Sequence, residues 1–244
     1  KKREIVGFGS GVGLHGELNY TISTEHFGLC DIKYRLSRSI QELFLGFKED
    51  ELTQVTESVI REGQNLSGVS LVRATGVGNY IHDFMAYALA KKILETENDE
   101  NLLCRNLITL DAYDHWFPGD SKRPDLLWLT ASVNQDGQIC LKMRLIECKL
   151  AGENELHVEK AVEQVKSGLR NLIPAFRPRE AQVGGEERPD QRYWWLQLHR
   201  LLASKTRIDP HKQQNLMSAM EKLAEGEYDI SWGGAVLAFW TDRE

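Results

Sequence analysis

The chain has 244 residues, of which 41% are hydrophobic and 27% charged, with a formal net charge of −6. This suffices to bury the core of one domain with an extension, but the acidic balance argues against a stand-alone binder that grips nucleic acid by phosphate neutralisation alone. No apolar run approaches the roughly 20 residues that cross a bilayer, no signal peptide is legible, and Cys30, Cys104, Cys140 and Cys148 lack the paired spacing of a disulfide framework or zinc knuckle, so a cytoplasmic protein that does not engage a membrane is expected. The chain begins Lys1-Lys2-Arg3 without a methionine, which suits a piece of a longer protein.

Gly7-Phe8-Gly9-Ser10-Gly11-Val12-Gly13 has neither the Gly-Lys-Ser/Thr of a P-loop nor the spacing of a dinucleotide fingerprint, so a turn before a strand at 17–23 is expected. Segments 31–47 and 51–62 read as amphipathic helices, making 1–76 a mainly helical extension. Gly78-Asn79-Tyr80 opens an almost wholly apolar helix that runs to Leu94, with Asn79 as its N-cap, and such a helix is buried on most sides. From Tyr80 to Ala90 its strongly polar residues are His82 and Asp83, which are either hydrogen-bonded structural residues or contributors to a site.

Segment 102–110 reads as a first core strand, and Asp111, Asp114 and His115 follow in a loop that must return to Pro124. They are turn residues or they line a cleft, with His115 a candidate for phosphate contact or proton transfer. Segments 126–133 and 138–150 have strand composition, and Asn134-Gln135-Asp136-Gly137 between them supplies a turn, so a β-hairpin is predicted. Side chains alternate along a strand, so Met143, Leu145, Glu147 and Lys149 share one face, and Ile146, Cys148 and Leu150 the other. A hairpin turning about Asp136-Gly137 brings Asp125, at the start of one strand, beside Glu147 near the end of the next. Two hard oxygen ligands close together suit Mg²⁺ or Mn²⁺ rather than zinc, and a lysine beside them can position an attacking water and stabilise charge on a phosphate. The bland alternative is a proline that starts a strand plus a surface Glu/Lys ladder pair.

Pro124-Asp125, a hairpin-sized gap, and Glu147-Cys148-Lys149 resemble the PD-(D/E)xK nuclease superfamily. Three partial matches fail on context: Asp31-Ile32-Lys33 and Asp120-Ser121-Lys122 follow no Pro-Asp step on a strand, and Pro189-Asp190 sits in a polar run with no acidic-x-Lys strand after it. The resemblance implies a restriction-endonuclease-like mixed sheet flanked by helices over 77–244, an α/β fold with a helical insertion at 177–224. It further implies that Asp125, Glu147 and the backbone carbonyl of Cys148 hold Mg²⁺ or Mn²⁺, that Lys149 orients water for in-line attack, and that products carry 5′-phosphate and 3′-hydroxyl ends. A helix before the first core strand often lends an acid to such sites; Asp83 is the candidate here, although the usual glutamate is missing. A RecB-type subset places a glutamine on the helix after the acidic-x-Lys strand. That helix is predicted at 155–176, with Val158, Val162, Val165, Leu169 and Leu172 as its apolar stripe and Gln164 to one side of it, reaching the site or facing solvent.

Basic residues that could line a cleft are Lys122 and Arg123, then Arg170, Arg177 and Arg179, then Lys33, Arg35 and Arg38. Taken singly, each group reads first as solvated surface. Segment 177–192 is a charged Pro/Gly-rich loop, and 191–204 a helix whose Tyr193, Trp194 and Trp195 either stack on unpaired bases or pack in the core. A helix at 213–224 and a last strand at 235–240 complete the chain. The expected function is DNA cleavage by the endonuclease module of a restriction or antiviral-defence protein, with RNA left open. Its partners would be other domains or subunits such as an ATPase. The rival is a catalytically silent module that binds nucleic acid or supports an assembly.

Overall fold

The computed structural model describes residues 6–7, 22–23, 27–44, 46–64, 80–96, 102–119, 122–181, 188–205 and 213–242. The glycine-rich turn after Gly7, most of the expected strand at 17–23, the Asn79 cap and Asp120-Ser121 lie outside them. Two-residue strands β1 (Val6–Gly7) and β2 (Ile22–Ser23) pair antiparallel. Helices α1 (Phe27–Leu43), α2 (Glu49–Gln64) and α3 (Tyr80–Leu94) follow. The all-round apolarity of α3 has a direct cause: it lies between two cores. Phe84, Met85 and Ala88 pack with Leu36, Ile40, Leu52 and Val59 of α1 and α2, while Ala86, Tyr87, Ala90 and Leu94 pack on a sheet.

That sheet has four strands, β3 (Cys104–Thr109), β4 (Leu126–Val133), β5 (Ile139–Ala151) and β6 (Tyr228–Trp240), in that spatial order. The first two pairings are antiparallel and the last is parallel. The architecture is therefore mixed α/β, with a four-stranded mixed sheet flanked by helices. The β4–β5 turn forms where the sequence places it: Gly137 adopts φ +73, and the Asn134 side chain accepts from the N–H groups of Asp136 and Gln138. Parallel pairing needs a long crossover, supplied by α4 (Glu155–Ala175), α5 (Gln191–Lys205) and α6 (Gln213–Ala224). Strand β5 is central, and from Leu145 to Cys148 it is buried on both faces: Met143 and Leu145 join the core of the crossover helices, and Ile146 and Cys148 face α3.

Two expectations need correction. The buried line of α4 is Ala161, Val165, Gly168, Leu172 and Ala175, and Val158 and Val162 are only half-buried. Small residues set this line because the helix sits very close to the sheet. A Cβ on Gly168 would lie 2.6 Å from Pro124 Cγ and 2.9 Å from Leu145 Cδ1. The last strand begins at Tyr228 rather than 235, and the Gly233-Gly234 pair that disguises it is where α4 crosses: a Cβ on Gly234 would lie 2.4 Å from Val165 Cγ1.

The aromatic run of α5 is core packing. Trp195 is fully buried and donates Nε1–H to the Arg177 carbonyl at 3.0 Å, while Trp194 packs against Phe176 and Trp116. Pro189-Asp190 forms the turn that enters α5, where Asp190 accepts from Arg188 and from Trp194 Nε1. Residues 182–187 of the loop before it lie outside the described set. Among the described residues, no helix is long and apolar enough to cross a membrane.

Candidate active site

Asp125 stands one residue ahead of β4, and the register that pairs Leu126 with Ile146 sets it opposite Glu147. The two strands are laced there through side chains. Asp125 N–H donates to Glu147 Oε2 at 3.1 Å, and Cys148 N–H donates to Asp125 Oδ2 at 2.9 Å. Tyr87 of α3 donates its hydroxyl to Asp125 Oδ1 at 3.2 Å, and Lys149 Nζ donates to Glu147 Oε1 at 2.5 Å. Each of the four carboxylate oxygens thus accepts from a different donor. Glu147 is 1% exposed, whereas the Lys149 side chain keeps 27% of its surface open to solvent.

Burial dominates the electrostatics. It pushes the Asp125 carboxyl up to about 6, against the pull of the Cys148 N–H and the Lys149 ammonium. Glu147 is pushed up to about 7 by burial first and by the Asp125 charge second, with Lys149 opposing. Burial alone would lower the Lys149 ammonium, but the bond to Glu147 and the charges of Glu147 and Asp125 leave it raised, so it stays protonated at neutral pH. The Tyr87 hydroxyl is raised by burial and then by Asp125, which keeps it a donor. The Cys148 thiol is likewise raised by burial and remains neutral on the α3 face.

Around this centre the expected residues divide. Asp83 lies one turn before Tyr87 on α3; it is exposed, yet its carboxyl is pushed up by partial burial, then by Asp111, with Lys149 opposing. It therefore stands within electrostatic reach of the pair. Gln164 of α4 donates Nε2–H to the Arg123 carbonyl at 3.2 Å, two residues from Asp125. Arg123, proposed from sequence as a cleft cation, is ion-paired with Asp111 at 2.5 Å and with Asp114, and these bonds close the loop that returns to Pro124. Lys33 and Arg38 are likewise paired, with Glu57 and Glu42. His115 is exposed, its ring 6.3 Å from Tyr113 and 6.2 Å from Trp116, with its imidazole lowered by burial, and these contacts are not to the carboxylates. His82 is half-buried beside Asp83.

Sequence reasoning missed Tyr87. The usable signal was its position four residues after Asp83, on the same side of a helix that otherwise reads as uniformly apolar. It also missed the seat of the Pro-Asp step, where Pro124 rests in the gap that Gly168 leaves, one turn along α4 from Gln164.

The donor set suits a hard divalent cation in kind: two carboxylates and a strand carbonyl, all oxygen, with a buried pair of acids facing one ammonium. Among the described residues no group of three or more His, Cys, Asp or Glu side chains is placed to hold a metal, so such an ion would be held by this smaller set. Compared with family models, curated proteins and solved structures, the chain gives no significant match to any.

Proposed function

We propose that this chain is a Mg²⁺- or Mn²⁺-dependent nuclease of the PD-(D/E)xK type, with a restriction-endonuclease-like core, that hydrolyses phosphodiesters in DNA. The observation that carries this reading is a 1%-exposed Glu147 bonded to both Asp125 N–H and Lys149 at the end of a hairpin. Burying Glu147, with Asp125 and Lys149 half-buried around it, costs stability that apolar residues of the same volume would not cost, and a cluster of perturbed acids of this kind is characteristic of sites that bind and react.

Asp125 and Glu147, with the carbonyl of Cys148, would hold the ion. Bound there, a divalent cation supplies positive charge to phosphate oxygens and makes water more acidic. The remaining chemistry belongs to the chain. Lys149, protonated and partly open to solvent, orients the attacking water and offsets charge on the phosphate as a donor, not as a general base. Tyr87 keeps Asp125 Oδ1 bonded and oriented. Gln164 acts through the backbone as a positioning residue for Pro124-Asp125. By analogy with such nucleases, the chain would serve as the endonuclease module of a cytoplasmic restriction or antiviral-defence protein, delivered to DNA by other domains or subunits such as an ATPase.

The test is cleavage of plasmid and single-stranded DNA with Mg²⁺ or Mn²⁺ by wild type, Asp125→Ala and Lys149→Ala. Each variant should cut at least about a hundredfold more slowly than wild type. Equal rates in all three, or no cleavage and no metal binding by calorimetry, would leave the silent-module reading in its place.

A further inference from the structure

Asp125 stands at a strand end, and Glu147 does not. The β3–β4 ladder closes with Thr109 opposite Leu126, so Asp125 lies at the mouth of the connection 110–125, whereas Glu147 lies inside β5 with Val236 of β6 beside it. Strands fray where ladder bonds stop, and a long connection adds closure entropy. The place of one carboxylate is thus fixed by the sheet itself, and that of the other needs further ties.

Leu110 N–H donates to the Asp125 carbonyl at 2.9 Å, which adds one bond beyond the ladder. The next residue, Asp111, accepts from Arg123 Nη2 at 2.5 Å, and Arg123 Nη1 donates to Asp114. Asp111 and Asp114 lie three apart in the 3₁₀ turn Leu110–Trp116, a spacing that stacks side chains on one side of such a turn. The two acids do not weigh alike. The Arg123 and Asp111 side chains are 26% and 24% exposed, while Asp114 is 85% exposed, and an exposed pair contributes little. The Arg123 carbonyl meanwhile accepts from Gln164 of α4. Two residues before Asp125, Arg123 therefore ties the chain to the 3₁₀ turn through its side chain and to α4 through its backbone.

We propose that Arg123, bonded to Asp111, is a positioning residue that holds the Asp125 carboxylate in place at its strand end. It acts without touching substrate, since its terminal nitrogens are engaged by acids of its own connection. Displacing a reacting group by about 1 Å can cost on the order of a hundredfold in rate, so a tie that stops a strand end from fraying bears on the chemistry and not only on the fold. That catalytic consequence rests on the nuclease reading; the tie between Arg123 and Asp125 does not.

The experiment compares wild type, Arg123→Gln, Asp111→Ala, the double variant Arg123→Gln/Asp111→Ala, and Asp114→Ala in the whole chain. Steady-state cleavage of plasmid with Mg²⁺ gives kcat and KM. Hydrogen exchange in EDTA, resolved to single amides, reads the N–H groups of Asp125 and Cys148, which are bonded to Glu147 and Asp125. Arg123→Gln and Asp111→Ala should each lower kcat by about ten- to a hundredfold with KM moved by less than about twofold. Each should speed exchange of the two amides by about tenfold, while the middle of the β4–β5 pairing exchanges as in wild type and so reports intact folding. The double variant should lose no more than either single change, because the same tie is broken in all three. Asp114→Ala should leave both readouts within about twofold of wild type. Should Arg123→Gln not fold, Asp111→Ala carries the test. A raised KM with unchanged kcat in Arg123→Gln would overturn the proposal, because Arg123 would then be a substrate contact. Losses that add in the double variant, or unchanged exchange, would overturn it as well. If wild type never cleaves, faster exchange in the variants would uphold the tie and remove the nuclease reading. Cleavage that depends on Asp125, with kcat and exchange indifferent to both changes, would do the reverse.

Discussion

At the residue scale, Lys149 is the hinge of the site's electrostatics. It is the ammonium bonded to a glutamate that is almost fully buried, so its removal leaves an acid with neither water nor a cation. The cost depends on protonation. Glu147 titrates near 7, so below that pH it can take a proton and shed its charge. Lys149→Ala is therefore expected to destabilise the metal-free protein by about 3 kcal/mol at pH 8 and by clearly less at pH 5. Urea denaturation at the two pH values checks this, and a loss equal at both would mean that Glu147 is not the group left stranded. The acidic-x-Lys string was legible because strand alternation alone puts Glu147 and Lys149 on one side. Tyr87 was not, because a tyrosine on an apolar helix reads as packing until the sheet end that it meets is known.

At the element scale, the placement of Asp125 depends on how closely α4 lies on the sheet. Gly168 admits the Pro124 ring, and Gly234 admits Val165. Gly168→Ala and Gly234→Ala should each destabilise by about 1 to 3 kcal/mol, since a methyl has no room at either point. They should differ in activity. The first pushes on Pro124, next to Asp125, so it should lower the cleavage rate well beyond what its loss of stability explains; the second pushes on Val165 and should not. Thermal melts beside single-turnover rates separate the two, and parallel losses of activity would deny α4 its positioning part. The hairpin, α6 and the limits of β4 could be read from sequence since turn chemistry and periodicity are local signals. The true buried line of α4 and the early start of β6 could not. The first runs through Ala161, Gly168 and Ala175 and the second is broken by Gly233-Gly234, small residues whose place reflects the close approach of a neighbouring element and not their own hydrophobicity.

At the scale of the whole molecule, the buried acids set the pH dependence of folding. Asp125 and Glu147 have folded values above their ordinary ones, so the folded state binds protons more tightly than the unfolded chain. Their contribution is fully present below about pH 4 and is lost as pH rises through about 6 to 7. Glu57, Glu163 and Asp190 are shifted the other way, Glu57 and Glu163 chiefly by their lysine partners and Asp190 by Trp194 and Arg188 against its own burial, so their contribution fades as pH falls through the acid range. In EDTA, stability should peak near pH 5 and decline by on the order of 2 to 3 kcal/mol by pH 8. A flat profile from pH 5 to 8 in urea melts would contradict the burial of this pair.

Helix α3 is a shared wall, with Phe84, Met85 and Ala88 on the side of α1 and α2, and Tyr87 on the side of the carboxylates. A protein trimmed to begin at residue 77, the boundary that the sequence suggests, would present those three apolar side chains to water. It should self-associate or bind an apolar dye, as size-exclusion chromatography and dye fluorescence would reveal. The helices that precede α3 thus belong in any minimal version of the protein, because they shield the back of the element that aims Tyr87 at Asp125.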